Sequence, residues 1–382
     1  MNLPKPKILA FFDFFFPAYK SGGPARSSLG LVETLGMYYD FEIFTRSTDK
    51  DFKEKLQGIE SANWCDVKGA KVFYSTNAIQ ILKAAKKVEY DVYYFNSFFS
   101  AAYTILPLLL ISLGILPEKP IILAPRGEFS ENALAIKNWK KKIYLKLFNS
   151  FLYNKVIFHA SSNFERWDII KATRVKYSQV RVALNLRPIS EFSAIQYKPI
   201  TKESGELKLV FISRISAMKN IDFALRVLKN CKTNITLDIY GIVDDKAYWS
   251  ECKTLIAELP SHIKVVYKSE VSQKNVFGVL QNYHVMFLPT RGENFGHSIL
   301  ESFMANRPAL ISNVTIWRNL EQQKAGWDLT LHDENLFVRK LDELNAMDND
   351  TYQQFVSGAH QMAQNYFYDS EKVKAYKKLF DY

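Results

Sequence analysis

Short runs of consecutive apolar residues alternate along the chain with longer segments whose apolar residues recur every three or four positions. Runs of the first kind predict buried β-strands, and segments of the second kind predict helices with one buried face. The strands are predicted at residues 7–14, 41–45, 91–95, 120–124, 156–160, 207–213, 236–241, 263–267, 285–289 and 309–312. Because strands that alternate with helices form parallel sheets covered by helices, the pattern predicts an α/β fold.

This alternation is interrupted at residues 188–205, which are rich in Pro, Ser, Thr, Lys and Glu. Such a composition, with little apolar periodicity, is typical of a linker. The sequence therefore predicts two domains, over residues 1–187 and 206–365, each built on its own doubly wound sheet. The length of 382 residues agrees with this division, since a domain has ~150 residues.

Two apolar segments resemble membrane-targeting sequences. Residues 8–16 follow two lysines, but Asp13 interrupts them and no small-residue cleavage site follows, so a first β-strand is predicted rather than a signal peptide. Residues 92–117 form an uncharged stretch of 26 residues, which is long enough to span a bilayer. They contain Pro107 and Gly114 and begin with strand-forming residues, which favours a buried strand followed by a buried helix.

The composition is that of a folded protein with a cationic surface. Hydrophobic residues make up 48% of the chain, which excludes global disorder. Fifty Lys and Arg residues outnumber 39 Asp and Glu residues, so the net charge of +11 favours polyanionic or phosphate-bearing partners. No nucleic-acid-binding signature accompanies this charge. The cysteines Cys65, Cys231 and Cys252 lack the paired spacing of disulfides and zinc sites, which favours a reducing cytoplasm.

Ligands of doubly wound sheets bind beyond the carboxyl ends of the strands, so the residues after each strand are candidate binding residues. After the first strand, Gly22 and Gly23 precede a helix, and the amides of such a loop can approach a phosphate. An ordinary strand-to-helix turn is the alternative. In the second domain, Arg214 leaves the first strand and Lys219 enters the next helix. These two cations can converge on one diphosphate, although two solvated surface cations would give the same pattern.

Residues 289–301 carry two carboxylates around a strand-to-helix turn. The apolar positions predict a helix from about Phe295, which places Glu293 in the turn and Glu301 on the helix. Glu293 can then accept hydrogen bonds from a sugar while Glu301 accepts them from a ribose, and the helix amides can bind phosphate or hexose. A helix-start glutamate and a solvated helix glutamate are the alternatives. The donor-binding candidates of this segment are Asn294, Phe295, Gly296, His297 and Glu301.

In combination, these motifs resemble those of the family 4 glycosyltransferases, which are retaining enzymes with the GT-B fold. The segment from Glu293 through Asn-Phe-Gly to Glu301 is similar to the family signature, and Arg214 with Lys219 resembles the donor-phosphate pair. The Gly22-Gly23 loop resembles the family's N-terminal glycine loop. The resemblance implies two Rossmann-like doubly wound domains facing a central cleft, with a C-terminal helix at 366–382 that packs back on the first domain.

The resemblance also implies transfer of a sugar from a nucleotide-sugar donor, with retention of anomeric configuration and without a metal or other cofactor. Glu293, Arg214 and Lys219 are the catalytic candidates, because cations aimed at the departing diphosphate stabilise its developing charge. Two positions differ from the family, since Asn220 and Asn294 stand where glycine is usual. Asparagine tolerates left-handed backbone geometry, so both turns can be retained.

The acceptor-side candidates lie after strands of the first domain. Where many family members have a histidine, this chain has Arg126 and Glu128. Each is a candidate for contacts with sugar or acceptor. Alternatively, Arg126 is a structural ion-pair partner and Glu128 is a helix cap. His159 ends an apolar strand and is either a third candidate or a structural histidine. Ser162 and Glu165 after it predict a capping box.

A basic amphipathic helix is predicted at residues 137–146, which contain five lysines and no acid. Such a helix suits an anionic membrane surface, with a solvated helix face as the alternative. The sequence thus predicts a cytoplasmic enzyme, peripheral at the inner face of the plasma membrane, with a glycan or lipid-linked acceptor. By family analogy it acts in bacterial surface polysaccharide biosynthesis, of lipopolysaccharide O-antigen, capsule or exopolysaccharide. A non-catalytic glycosyltransferase-like binding subunit and a glycosyl phosphorylase of the same fold are the alternatives.

Overall fold

The computed structural model describes residues 4–381 except 51, 53, 131, 132, 135–137 and 152–154. The chain divides into two compact units, each with its own sheet. Unit 1 comprises Met1–Glu191 and Asp369–Tyr382, and unit 2 comprises Phe192–Tyr368.

Unit 1 is built on an eight-stranded sheet. Its strands are β1 (Lys7–Phe12), β2 (Asp40–Thr45), β3 (Trp64–Val67), β4 (Ala70–Tyr74), β5 (Val92–Asn96), β6 (Ile121–Leu123), β7 (Val156–Ala160) and β8 (Val180–Val182). Their order is β3-β4-β2-β1-β5-β6-β7-β8, and neighbouring strands are parallel except for β3 and β4. The first five helices are α1 (Gly23–Leu35), α2 (Ala78–Ala85), α3 (Leu106–Ser112), α4 (Asn138–Phe151) and α5 (Asn163–Thr173).

Both faces of this sheet are buried, as expected for parallel strands covered by helices on each side. On one face, aromatic rings of three neighbouring strands form a layer. The ring of Phe11 stacks on those of Phe44 and Phe95, with centroids 5.2 Å and 5.1 Å away. Both are register partners of Phe11, so the carboxyl ends of β1, β2 and β5 lie along one edge of the sheet.

The β3–β4 hairpin was absent from the sequence prediction. Lys68 and Gly69 join its strands, and their positive φ angles of 54° and 85° match the twist of a two-residue hairpin loop. The ring of Trp64 packs against Phe44 and Phe73 at 5.2 Å and 5.4 Å. The apolar pattern missed β3 because it is a short edge strand whose residues stay exposed or half-buried.

The two apolar segments that resemble membrane-targeting sequences, residues 8–16 and 92–117, contribute strands and a helix to unit 1. β1 lies in the middle of the sheet, which confirms the first strand predicted in this segment, although it ends at Phe12 and the prediction extended it to residue 14. Residues 92–117 form β5 and α3, preceded by a π-helical turn at Ala101–Ile105. Leu109 and Leu113 are 50% and 63% exposed, so this helical segment is only partly buried. Within the described residues, no helix combines the length and apolarity that crossing a bilayer requires.

Unit 2 is built on a six-stranded, fully parallel sheet. Its strands are β9 (Leu207–Ile212), β10 (Ile235–Tyr240), β11 (Ile263–Tyr267), β12 (Val285–Leu288), β13 (Ala309–Ser312) and β14 (Gly326–Leu329). The order β11-β10-β9-β12-β13-β14 is that of the Rossmann fold. Its helices are α7 (Ile221–Asn230), α8 (Lys246–Ala257), α9 (Val276–Leu280), α10 (His297–Met304), α11 (Glu334–Ala346) and α12 (Asn349–Tyr368). The sequence prediction missed β14, whose four residues include a glycine and an aspartate.

The division of the chain differs from the predicted one near residues 188–205. A short helix, α6 (Ile189–Ser193), crosses the boundary between the units, and residues 192–205 belong to unit 2. There Lys202 is buried, and its ammonium group donates to the carbonyl groups of Glu203 and Asn345 at 2.8 Å and 2.9 Å. These contacts fix the later part of the predicted linker to unit 2.

The C-terminal helix, Ser370–Phe380, lies in unit 1. It begins after residue 366 because α12 continues to Tyr368. The ring of Phe380 packs against Tyr39 and Tyr94, with centroids 5.2 Å and 5.6 Å away. Its apolar face thereby covers part of the unit 1 core.

Candidate functional site

The strand order of unit 2 reverses between β9 and β12, so the connections that follow these neighbouring strands run in opposite directions. The connection after β9 carries Arg214 and Lys219, and the one after β12 carries Glu293. Open α/β sheets bind ligands at such a switch point, beyond the carboxyl ends of the strands. The three predicted catalytic residues therefore lie on the two loops that flank the ligand-binding position of this fold.

Lys219 and Glu293 are in direct contact, although 74 positions separate them along the chain. The Nζ atom lies 2.5 Å from Oε1, and the two side chains are only 13% and 10% exposed. Lys219 ends the 3-10 turn Ala217–Lys219, and Asn220 alone separates this turn from α7. The pair offers a cation for a phosphate and a carboxylate for a hydroxyl group at one place.

Arg214 follows β9 and is oriented by Asp244. Its Nη1 atom donates to Oδ2 of Asp244 at 2.7 Å, while 61% of the arginine side chain remains exposed. The loop that carries Asp244 passes close to the backbone of Ser213, because a glycine stands at position 241. A Cβ atom on Gly241, which has a φ of 154°, would lie 1.8 Å from the carbonyl oxygen of Ser213. The sequence analysis missed Asp244, although a polar residue soon after a predicted strand was the signal it used elsewhere.

Further contacts join the Lys219 loop to the Glu293 loop. The side-chain amide of Asn220 donates to the carbonyl oxygen of Pro289 at 2.8 Å, and its oxygen accepts from Nε of Arg291 at 2.9 Å. The backbone amide of Arg291 donates to the carbonyl oxygen of Met218 at 2.8 Å. Its Nη2 atom donates to Asp222 at 3.1 Å. Sequence reasoning missed Arg291 because these partners are distant along the chain.

Asn220 stands where the resembling family usually has glycine, and it adopts the left-handed conformation, with φ 63° and ψ 42°. Its side chain is buried.

Asp222, the partner of Arg291, is charged. Burial alone would raise the pKa of Asp222, but hydrogen bonds from Tyr248 and Arg226 and the charge of Arg291 together lower it below its ordinary value. Asp222 is therefore a charged acceptor for Arg291 throughout the neutral pH range.

The turn before α10 is fixed by aromatic contacts. α10 begins at His297, with Gly296 as its N-cap and Asn294 in the preceding turn, so the predicted start near Phe295 was two residues early. Phe295 is buried, and its carbonyl oxygen accepts from the indole of Trp317 at 2.8 Å. Its ring centroid lies 4.7 Å from that of His297. Helix amides at such a terminus suit a phosphate or a sugar hydroxyl group.

Glu301 lies on α10 and is only 4% exposed. Its burial excludes the interpretation of a solvated helix glutamate. A role in ribose binding stays a prediction.

The glycine loop of unit 1 lies at the start of α1, with Gly22 preceding the helix and Gly23 as its first residue. Asp49 holds this loop, since its carboxylate accepts from the amide of Lys20 at 2.9 Å and from the hydroxyl of Ser21 at 2.8 Å. Sequence reasoning did not connect Asp49 to the loop. Phosphate binding by the glycine amides stays a prediction.

Unit 1 has its own switch point between β1 and β5, where two carboxylates are placed. Asp13 accepts from Arg46 at 2.9 Å and from Ser100 at 2.8 Å. Glu128 accepts from the hydroxyl of Ser97 at 2.8 Å and from the amide of Phe99 at 3.2 Å. Burial raises the pKa of Glu128 despite these hydrogen bonds. Glu128 thus fastens the loop after β5, and its contact with an acceptor stays a prediction.

Arg126 lies at the centre of a polar network. Its backbone is left-handed, with φ 57°. Its guanidinium group donates to the side-chain oxygens of Asn96 and Asn185 and to the hydroxyl of Tyr94. Several protein acceptors therefore already engage this group, which favours a structural role over the predicted acceptor contact.

His159 is completely buried. Nδ1 is hydrogen-bonded to the hydroxyl of Tyr94 at 2.8 Å and Nε2 to the carbonyl oxygen of Ala183 at 2.8 Å. Burial and the charge of Arg126 hold the pKa of His159 well below its ordinary value. A neutral, enclosed ring favours the structural histidine over an acceptor-side residue.

Comparison with known proteins identifies the class of the C-terminal half. Residues 194–362 match the family model described as glycosyl transferases group 1. A Klebsiella pneumoniae protein described as an uncharacterized 41.2 kDa protein in the cps region is 21% identical over 310 residues. The match covers 78% of this chain and 81% of that protein.

Three solved structures resemble nearly the whole chain. Anabaena Alr3699/HepE in complex with UDP-glucose has a TM-score of 0.68 and 16% identity, over 98% of this chain and 99% of its own. Sucrose-phosphate synthase from Thermosynechococcus elongatus has a TM-score of 0.67 and 14% identity, over 99% of each chain. WaaG, a glycosyltransferase involved in lipopolysaccharide biosynthesis, has a TM-score of 0.63 and 12% identity, over 97% of this chain and 98% of its own. These likenesses confirm the GT-B fold that the sequence predicted.

Proposed function

We propose that this chain, whose residues 194–362 match the family model of the group 1 glycosyl transferases, transfers a sugar from a nucleotide-sugar donor with retention of anomeric configuration. The acceptor in this proposal is a glycan or a lipid-linked saccharide of a bacterial surface polysaccharide. The observation that carries the proposal is the Lys219–Glu293 pair at the switch point of a Rossmann-ordered sheet.

The donor side of the proposal follows from the charges of this site. When the bond between the sugar and the diphosphate breaks, negative charge develops on the diphosphate oxygens. Lys219 and Arg214 stabilise that charge, and Glu293 accepts hydrogen bonds from the transferred sugar. Removing one well-placed donor of this kind costs ~3–4 kcal/mol of transition-state stabilisation. The complexes of HepE with UDP and UDP-glucose support a uridine nucleotide as the first donor to test.

The biosynthetic role rests on two similar proteins. One belongs to a cps region, and the other, WaaG, is involved in lipopolysaccharide biosynthesis. Both support an acceptor that becomes part of a surface polysaccharide. Such acceptors are assembled at the inner face of the plasma membrane, so we propose a cytoplasmic enzyme associated with that face.

The experiment begins with thermal-shift measurements against a panel of nucleotide sugars. A ligand at 100 times its dissociation constant stabilises the fold by ~2.7 kcal/mol, which separates true donors from non-binders. Nucleotide release and sugar transfer are then measured with the best donor. Arg214→Ala and Glu293→Gln are expected to lower kcat by roughly two to three orders of magnitude.

Lys229→Ala is the matched control for Arg214→Ala. It removes another exposed, ion-paired cation of unit 2, located at the far end of α7. The Nζ atom of Lys229 lies 2.7 Å from Oε2 of Glu258, which follows α8. The kcat of Lys229→Ala should equal that of the unaltered protein. Donor binding without any nucleotide release would instead indicate a non-catalytic binding subunit. Release of a sugar phosphate that requires inorganic phosphate would indicate a phosphorylase.

A further inference from the structure

We propose that Asn220 and Arg291 are positioning residues that lock the Lys219 loop to the Glu293 loop. Through this lock, the Lys219 ammonium group and the Glu293 carboxylate are kept in the arrangement that the reaction requires. The inference rests on the proposed function, because it assigns these residues to the same site.

The lock consists of backbone and side-chain contacts between residues 218–222 and 289–291. The amide of Arg291 and the hydroxyl of Thr290 both donate to the carbonyl oxygen of Met218, at 2.8 Å and 3.1 Å. Asn220 adds a donor bond to Pro289 and an acceptor bond to Arg291, at 2.8 Å and 2.9 Å. Lys219 lies between Met218 and Asn220, and Glu293 follows Arg291 by two positions. Both ends of the ion pair are thus adjacent to the lock.

Asn220 contributes side-chain hydrogen bonds that a glycine at the same turn would lack. Its φ of 63° is one that glycine adopts without steric cost, so the backbone alone does not require asparagine. Its side chain is buried, and both its nitrogen and its oxygen are hydrogen-bonded across to the other loop. Buried polar groups that are fully paired hold one conformation in preference to others.

Arg291 is anchored in turn by Asp222, at the start of α7. Asp222 also accepts from Arg226 at 2.9 Å and from the hydroxyl of Tyr248 at 2.6 Å. The carboxylate is therefore held by groups of α7 and α8 and cannot follow Arg291 if the loop shifts. The lock connects the Glu293 loop to the rigid helical layer of unit 2.

Catalytic groups must be held to within about 0.5 Å of their productive positions to be effective. Glu293 lies on an irregular segment, and Lys219 ends a single 3-10 turn of three residues, so neither belongs to an α-helix or a strand whose own hydrogen bonds would hold it. The contacts between residues 218–222 and 289–291 hold both groups in position instead. Because the lock acts on the geometry of the pair, it affects the transition state more than the affinity for the nucleotide.

The test uses Asn220→Gly, which keeps the left-handed turn and the bonds to the Met218 carbonyl oxygen and removes only the two cross-loop bonds of the Asn220 side chain. We expect kcat to fall at least tenfold, while the dissociation constant for UDP changes less than threefold. Arg291→Met should have the same effect, and the double variant should lose little more than either single variant, since both remove one lock. In an Asn220→Gly background, Lys219→Met should likewise cause a smaller loss than in the unaltered protein.

Hydrogen exchange gives a readout that does not depend on activity. In Asn220→Gly, exchange of the amides in residues 216–222 and 289–294 should become faster, including that of Arg291. Asn306→Gly is the matched control, because Asn306 also has a left-handed backbone and a side-chain bond in unit 2, to His360 at 2.9 Å. It should alter neither kcat nor exchange in the two loops.

Unchanged exchange in both loops, or a fall in kcat of less than threefold, would overturn the proposal. A fall in melting temperature with normal kcat would show a purely structural role and would overturn it as well. If the unaltered protein transfers no sugar, the proposed function fails, while the exchange data still report whether the loops are locked.

Discussion

Arg126 follows strand β6 at the carboxyl edge of the unit 1 sheet. Such residues often face ligands, but here the guanidinium group faces Asn96, Asn185 and Tyr94 of the same unit. Asn96 and Asn185 are themselves buried. The group therefore completes the polar interior beside the sheet edge.

Arg126→Met tests this structural role. Hydrogen bonds to a charged group contribute ~1.5–3 kcal/mol each, so we expect the free energy of unfolding to fall by at least 3 kcal/mol. Arg174→Met is the control, because Arg174 also has a left-handed backbone, with φ 59°, but is exposed. Urea unfolding measures both variants. A stable Arg126→Met protein with impaired acceptor binding would restore the acceptor-side assignment.

Among the elements, α4 has the composition of a membrane-binding helix. Trp139 and Ile143 are one turn apart and 66% and 55% exposed, and Lys146 on the same helix is exposed. Lys137 and the side chains of Lys140 and Lys142 lie outside the described residues. An exposed apolar pair beside lysines suits the boundary of an anionic bilayer.

Vesicle binding tests this property of α4. Burial of a large apolar side chain contributes ~1.5–3 kcal/mol, so Trp139→Ser and Ile143→Ser should each weaken binding to vesicles with anionic lipid about tenfold or more. Met37→Ser is the control, since Met37 is 68% exposed in the same unit. Equal cosedimentation of all three variants would mean that α4 is an ordinary solvated helix.

The capping prediction for α5 was only half correct. The hydroxyl of Ser162 accepts from the amide of Glu165 at 3.1 Å, as a capping box requires. The carboxylate of Glu165, however, accepts from the amides of Ser161 and Gly127, at 2.7 Å and 2.5 Å. It thereby connects the loops after β6 and β7, a contact that local spacing cannot reveal.

For the whole molecule, two buried histidines couple stability to pH, one in each unit. His284 in unit 2 has its pKa lowered to about 4, chiefly by burial and secondly by the charge of Lys202. The pKa of His159 in unit 1 is lowered in the same direction. Both rings are neutral in the folded protein at pH 6.5. In the unfolded chain, the same histidines take up protons as the pH falls through about 6.5.

Stability should therefore be fully present above pH 6.5 and fall as the pH decreases toward 4. The loss between pH 6.5 and 5 should be roughly 1.5–2 kcal/mol for His284, whose folded pKa is about 4, since one pH unit between the two pKa values is worth ~1.4 kcal/mol. His159 should add a loss of the same sign. Urea unfolding followed by tryptophan fluorescence measures it. His284→Gln and His159→Gln should each flatten this dependence. A difference from the unaltered protein that is the same at pH 7 and pH 5 would contradict the assignment.

By itself, the sequence determined the α/β class, most strands and the presence of Lys219 and Glu293 at strand-to-helix turns. These features are local, because strand periodicity and turn chemistry are encoded within a few neighbouring residues. Short or polar edge strands such as β3 and β14 lacked that signal, since they depend on neighbours in the sheet.

Only the tertiary structure decided which side chains share a site. It paired Lys219 with Glu293 and Arg214 with Asp244, and it joined Asn220 to Arg291 across two loops. It also showed Arg126 and His159, two of the acceptor-side candidates, in hydrogen bonds with other groups of unit 1. Parallel sheets place residues from distant parts of the chain at one edge, so these partnerships arise from strand order and not from spacing along the chain.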